Sequence, residues 1–258
     1  MIPLADGEVH LWLASYEDAS GANLHATYRQ VLANDERAQE KRFYFERDRR
    51  RYLVTRALVR TTLSRYLALL PVHWKFSSNS YGRPEIVNAE ALEAGLSFNV
   101  SHTHSLIVLG VAKGCALGVD VENILAQEAS IELAEHYFAP REAAALKEAA
   151  EHQQQFRFFE YWTFKESYIK ARGMGLSLPL DKFGFRYPSD RAVEIAIDPE
   201  LADDATRWQF WQLRPSKEYL VAICAERTGA QPPRLVIRRT IPLVSEEMFS
   251  VNCVRASS

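Results

Sequence analysis

Leu117-Gly118-Val119-Asp120-Val121-Glu122, residues 117–122, alternates a valine pair with two carboxylates. In a strand, side chains i and i+2 share a face, so Asp120 and Glu122 point together while Val119 and Val121 turn to the core. Carboxylates so placed repel one another unless a cation lies between them. Just upstream, Ser105 to Ala112 also reads as a strand, and Lys113-Gly114-Cys115-Ala116 as the turn that makes the two a hairpin. This hairpin is expected to mark the junction between two halves of the chain.

Toward the N-terminus, Val9 to Tyr16 reads as a first strand and 17–23 as a turn. Asp35 to Phe45 and Asp48 to Leu70 read as helices, the second with Leu53, Leu58, Val59, Leu63 and Leu67 on one apolar stripe and Pro71 as its stop. Trp74-Lys75-Phe76 is a short strand, Asn79 to Pro84 a turn-rich loop, and Leu96 to Ser101 a strand that stops at His102. Toward the C-terminus, Ile131 to Tyr137 and Ala139 to about His152 are helical, and Phe156 to Ala171 is a longer helix closed by Gly173 and Gly175. Strands follow at 176–180, 183–185, 193–197, 208–211 and 219–224. Each half therefore runs helix-rich, then strand-rich. The expected fold class is α+β, with two similar lobes over 1–112 and 113–226. In the remaining 227–258, Pro232, Pro233 and Pro242 break the pattern, and this tail is expected to wrap a lobe or stay mobile.

The 258 residues, 47% hydrophobic, suffice for a substantial core, and a formal charge of −2 gives no argument for a nucleic-acid or bilayer partner. Any anion site must be built locally. Cys115, Cys224 and Cys253 lie far apart and form neither a redox pair nor a zinc pattern. With no basic-then-apolar leader in the first residues and no long apolar run, a cytoplasmic protein is expected.

A third carboxylate, Glu166, lies in Trp162-Thr163-Phe164-Lys165-Glu166-Ser167-Tyr168-Ile169-Lys170. Glu166 and Lys170 are i and i+4 on a helix, which alone describes an exposed pair worth a few tenths of a kcal/mol. Three acids nonetheless supply the hard oxygen ligands that Mg²⁺ prefers, and Lys165 or Lys170 can hold a phosphate beside them. His102, at a strand end, reads equally as a structural histidine or a ligand-binding one. Between Arg37 and Arg56 a basic run interleaved with acids reads mostly as solvated helix surface, with one or two arginines available to clamp a phosphate.

Taken in order, Phe98-Asn99-Val100-Ser101-His102, Gly118-Val119-Asp120-Val121-Glu122, the Trp162 to Lys170 stretch and Gly173-x-Gly175-Leu176 resemble the 4'-phosphopantetheinyl transferases of the surfactin-synthetase-activating type. Lys41-Arg42-Phe43-Tyr44 and Tyr81-Gly82-Arg83-Pro84 add weaker matches, and the resemblance covers about residues 37 to 185. It implies Mg²⁺-dependent transfer of the 4'-phosphopantetheine arm of coenzyme A to a serine of an acyl or peptidyl carrier protein, leaving adenosine 3',5'-bisphosphate. It implies Asp120, Glu122 and Glu166 as metal ligands, His102 and Lys170 at the coenzyme A phosphates, and Glu166 as the group that takes the serine proton. Glu166, Lys170 and His102 are then the catalytic set. Arg51 matches the position that holds the 3'-phosphate, with Arg37, Arg83 and Lys165 as further coenzyme contacts, while Glu40 departs from the basic pattern there. The family's pseudo-twofold monomer, with the active site between two α+β lobes, agrees with the organisation drawn from the residues. Two other functions fit parts of the pattern: a Mg²⁺-dependent nucleotide or coenzyme A pyrophosphatase, and a noncatalytic protein that binds carrier or coenzyme.

Overall fold

A computed structural model describes residues 1–126, 128–229 and 231–257, with residue 176 in its backbone only. In the first half, β1 (Glu8–Ser15) leads into α1 (Ala22–Val31), α2 (Asn34–Glu40) and α3 (Glu46–Leu63), followed by β2 (Phe76–Ser78), β3 (Pro84–Ile86), α4 (Ala89–Glu93), β4 (Leu96–His102) and β5 (Leu106–Lys113). The second half runs β6 (Leu117–Asn123), α5 (Ile131–Tyr137), α6 (Pro140–Glu148), α7 (Glu151–Arg172), β7 (Phe183–Ser189), β8 (Ala192–Ile197), β9 (Trp208–Arg214) and β10 (Tyr219–Glu226), and the chain ends in β11 (Arg234–Ile241), β12 (Ser245–Met248) and β13 (Asn252–Ala256). One sheet has the order β12-β11-β1-β5-β4 and the other β6-β10-β9-β13-β8-β7. The expected bilobal α+β arrangement is the one the chain forms. No described helix is long and apolar enough to cross a membrane.

Three apolar cores follow from this arrangement. Leu53, Val54, Ala57 and Leu58 of α3 pack on Trp12 and Leu109 of the first sheet, and Phe159, Phe164 and Tyr168 of α7 pack on Phe183, Phe185 and Phe210 of the second. A third core, with Leu11 and Val108 from one sheet and Val119, Val121 and Val221 from the other, joins the two lobes. Burial of branched side chains on both partners makes this junction a packed interior, so the lobes share one boundary of hydrophobic contact.

The expected hairpin of 105–122 does not form. Both edges of β5 are already hydrogen-bonded, one to β1 and the other to β4, so β6 has no ladder position to occupy and pairs with β10 instead. The turn at 114–116 is thus a corner between sheets, and β6 lies across β5 at Gly110, where an added Cβ would come within 2.9 Å of Leu117 Cδ2 and Val119 Cγ1. The outer edge of β6 is met by side chains of β4 and of the residue that follows it: Asn99 Oδ1 accepts from the Val119 amide at 2.9 Å and Thr103 Oγ1 from the Asn123 amide at 3.1 Å. Buried amides on an edge strand require such partners.

Other departures have local causes. The helix expected over 48–70 is α3, which stops at Leu63 because the buried Arg60 guanidinium reaches the carbonyls of Pro71 and Trp74, at 2.8 and 2.9 Å, and folds residues 64–74 back over it. The helix expected over 35–45 closes at Glu40. The helix over 22–31 has no counterpart among the expected elements, and where a strand is expected over 176–180 the backbone forms a 3₁₀ turn at 175–177, with another following at 180–182. The tail builds strands in both lobes: β11 runs parallel to β1, while β13 lies between β9 and β8.

At Gly118 an added Cβ would overlap the Ser167 carbonyl oxygen and the Ala171 amide nitrogen of α7. Gly118→Ala is expected to lower the urea-denaturation free energy by about 3 kcal/mol or more, since backbone must move, whereas Gly110→Ala meets only side-chain atoms and costs less. Equal losses at the two positions would contradict this packing.

Candidate active site

A cavity of about 720 Å³ opens where β4, β6, α3 and α7 meet. On β6, Asp120 and Glu122 face it; on α7, Trp162, Glu166 and Lys170 face it at four-residue intervals. The close contact at Gly118 sets the helix this near to the strand. From β4 come Ser101 and His102, and from α3 come Arg51, Tyr52, Thr55 and Arg56.

The centre is an ion pair. Lys170 Nζ donates to Asp120 Oδ1 at 2.6 Å and to Ser101 Oγ at 2.9 Å, and Ser101 Oγ donates to the same Oδ1 at 3.1 Å. Asp120 is only 4% exposed, and its Oδ2 is buried with no hydrogen-bond partner. Burial, reinforced by the charge on Asp120 and opposed by Lys170, pushes Glu166 up to about 7. Trp162, stacked on Phe138 and Phe158, donates from Nε1 to Glu122 Oε1 at 3.1 Å. His102 is held below the usual imidazole range by its crowded surroundings and then by Arg51, which favours the neutral ring. Arg51 itself pairs with Asp48 at 3.1 Å on the cavity wall.

These residues suit a hard divalent cation in donor chemistry. A buried carboxylate oxygen without a partner, beside a carboxyl group that Asp120 discourages from ionising, is the arrangement a cation relieves. Among the described residues no three acidic, histidine or cysteine side chains already converge on a metal-sized point, and Lys170 supplies the positive charge at Asp120.

Six of the expected residues, Arg51, His102, Asp120, Glu122, Glu166 and Lys170, share this cavity. Lys165 does not. It is 0% exposed, and its Nζ contacts Glu142 Oε2, Leu180 O and Phe183 O, each at 2.7 Å. Neighbouring residues on a helix point about 100° apart, so Lys165 cannot share the face of Glu166 and Lys170. Arg37 donates through Nε and Nη2 to the Leu32 carbonyl, away from the cavity wall. Arg83 donates to the carbonyls of Lys170, Ala171 and Leu117, bracing the end of α7 from the first lobe, and borders a neighbouring cavity of about 250 Å³ that Glu166 and Lys170 also line. Glu40, the acidic departure, is buried against Arg29, which donates to it through Nε and Nη2. Arg56, the end of the basic run, also lines the cavity, as do Phe43, Tyr52 and Thr55, for which the sequence carries no site expectation; helical spacing from Arg51 signals Thr55, which lies one turn on.

Two family models match the chain: the 4'-phosphopantetheinyl transferase superfamily over residues 116–224, and the 4'-phosphopantetheinyl transferase N-terminal region over 19–113. The 4'-phosphopantetheinyl transferase HetI of Nostoc sp. strain PCC 7120 is 33% identical over 236 residues, covering 90% of this chain and 93% of the relative. A 4'-phosphopantetheinyl transferase of Bacillus subtilis is 34% identical over 195 residues (76% of this chain, 82% of the relative), and Sfp of Bacillus subtilis strain 168 is 30% identical over 198 residues (77% and 84%).

Because the pKa of Glu166 is raised from 4.5 to about 7, the native state holds that proton longer than the unfolded chain does, and stability is lost as pH rises through this interval. With EDTA present, Glu166→Gln is expected to be more stable than the parent at pH 8 by about 1–2 kcal/mol, less than the whole shift implies because water reaches the cavity, with the gain shrinking toward pH 5. Denaturant titrations at the two pH values check this; a Gln variant less stable at pH 8 contradicts it.

Proposed function

This chain belongs to the 4'-phosphopantetheinyl transferase superfamily and is a phosphopantetheinyl-transferring enzyme that uses coenzyme A as donor, and from that premise we propose the specific reaction. It moves the 4'-phosphopantetheine arm to a serine hydroxyl of an acyl or peptidyl carrier protein, with Mg²⁺, in the manner of the surfactin-synthetase-activating subtype. The observation that carries the proposal is the convergence of Asp120, Glu122, Glu166 and Lys170 on one cavity walled by Arg51 and His102. In the reaction, the serine oxygen bonds to the β-phosphorus of coenzyme A as the bond from that phosphorus to the bridging oxygen breaks. Adenosine 3',5'-bisphosphate leaves and the serine proton passes to a base.

Asp120, Glu122 and Glu166 would hold the metal, with Asp120 Oδ2 the oxygen lacking a protein partner. Bound Mg²⁺ would offset negative charge developing on the pyrophosphate. Lys170, tied to Asp120 and Ser101 without coenzyme, is placed to add a countercharge at the phosphates. His102, favoured neutral, contributes a ring N–H to a phosphate oxygen, and Arg51 a planar fork for the 3'-phosphate. Glu166, which lines the cavity beside Asp120 and Lys170, would take the serine proton directly or through water. Arg83 acts at one remove, by bracing α7. Arg37 and Lys165 take no direct part in coenzyme binding, because their donors serve carbonyls and Glu142. The reading keeps the cytoplasmic monomer that the family resemblance implies.

The experiment is steady-state release of adenosine 3',5'-bisphosphate with and without a carrier protein, its serine-to-alanine form and EDTA. Asp120→Ala, Glu166→Ala and Lys170→Ala are each expected to lower kcat/KM by roughly 100-fold or more, and Arg51→Ala to raise KM for coenzyme A about tenfold. Release without carrier points instead to a pyrophosphatase. Carrier binding with no Mg²⁺-dependent release points to a noncatalytic protein.

A further inference from the structure

Between the end of α2 and the first turns of α3 runs Lys41-Arg42-Phe43-Tyr44-Phe45-Glu46-Arg47-Asp48-Arg49-Arg50-Arg51, six Lys and Arg against two Asp and Glu on a chain of formal charge −2. Part of this charge serves the fold. Arg49 Nη2 donates to the Phe43 carbonyl at 3.0 Å, Arg50 pairs with Glu46 at 3.5 Å and Arg51 with Asp48 at 3.1 Å. Lys41, Arg42 and Arg47 point to solvent, with Arg42 touching Gln39 Oε1 at 3.3 Å and the Arg47 guanidinium 5.7 Å from the Phe45 ring.

Among these cations, Tyr44 is 89% exposed and Phe45 57%, their rings edge to face at 5.1 Å. Burying large aromatic rings is favourable, and folding leaves that gain largely unused at both positions. Phe43, the next residue, turns inward to Tyr52 at 5.2 Å between ring centroids, and both line the active-site cavity with Arg51. The exposed segment is therefore continuous with the rim of the site.

We propose that residues 41–47 are the docking surface for the protein that accepts the transferred group, and that this acceptor presents an acidic face around its serine, with Tyr44 and Phe45 as apolar anchors. The inference rests on the transfer reaction proposed above. Charge complementarity selects the occupant: on a near-neutral chain, Lys41, Arg42 and Arg47 against Glu46 leave a local positive excess beside the cavity that captures a negative surface there and turns it toward the site. Paired aromatics supply the desolvated contact that charge alone lacks.

The test is fluorescence anisotropy of a labelled apo acyl carrier protein whose serine-flanking helix is acidic, with the full-length enzyme at low and moderate salt. It compares the parent with Lys41→Glu/Arg42→Glu/Arg47→Glu, with Arg47→Glu alone and with Tyr44→Ala/Phe45→Ala. Salt-sensitive binding by the parent is expected, at least tenfold weaker in the triple charge reversal, about threefold weaker in Arg47→Glu and about tenfold weaker in the aromatic pair. Coenzyme A affinity and Tm should stay as in the parent. The proposal is overturned if the charge-reversed forms bind like the parent, if the parent does not bind the carrier, or if a labelled single-stranded oligonucleotide binds the same three residues more tightly. Carrier binding that needs these residues but leads to no transfer keeps the surface and removes the reaction. Transfer with an unchanged carrier KM after charge reversal does the opposite.

Discussion

The backbone of α7 lies against β6 at Gly118, and the active-site side chains that these two elements carry take their positions from that contact. A strand advances about 6.8 Å over two residues and a helix about 6 Å over four, so an i, i+2 series on one can keep step with an i, i+4 series on the other. Strand and helix here run in opposite senses: Gly118 meets Ser167 and Ala171, Asp120 meets Lys170, and Glu122 meets Trp162. Any side chain at position 118 would push the helix away and separate carboxylates from lysine. The Arg83 brace from the first lobe and the buried Lys165–Glu142 pair on the far side hold the helix against displacement and rotation.

Electrostatically the site is built at a cost to the folded state. Asp120 keeps one oxygen buried without a partner, and Glu166 is held where ionising is difficult. Both features weaken the protein alone, the usual relation between strain and function at an active site. Elsewhere in the second lobe buried charges are paired, as Glu160 is with Arg157 and Arg255. Both Glu160 oxygens meet an arginine, whereas Asp120 leaves one oxygen for something else to satisfy.

Much of this was legible in the residues. The strands at 9–16, 96–101 and 219–224 alternate or run apolar strongly enough to be placed within a residue or two, and the long helix closed by Gly173 follows from its left-handed cap. Asp120 and Glu122 are legible because their i, i+2 spacing carries geometry, whereas Glu166 and Lys170, whose spacing alone describes an exposed pair, needed the ordered resemblance. What failed depends on contacts far away in sequence. Residues 105–122 look like a hairpin until it is known that β1 and β4 take both edges of β5, and 48–70 look like one helix until Arg60 draws residues 71 and 74 back. The helix over 22–31 has no side-chain cap and no acid in its first turn, so it lacks the local marks of a start. Lys165 was grouped with Lys170 by composition, although helical geometry separates them, and its partner Glu142 lies on another helix.

The central claim is that this cavity modifies a carrier-protein serine. Its most direct test is intact-mass spectrometry of unmodified carrier proteins incubated with the enzyme, coenzyme A and Mg²⁺, beside EDTA and carrier-serine-to-alanine controls. The account predicts a gain of one phosphopantetheine mass on the serine, absent from both controls. No gain on any of several folded carriers that other transferases modify, with the enzyme folded, would contradict it.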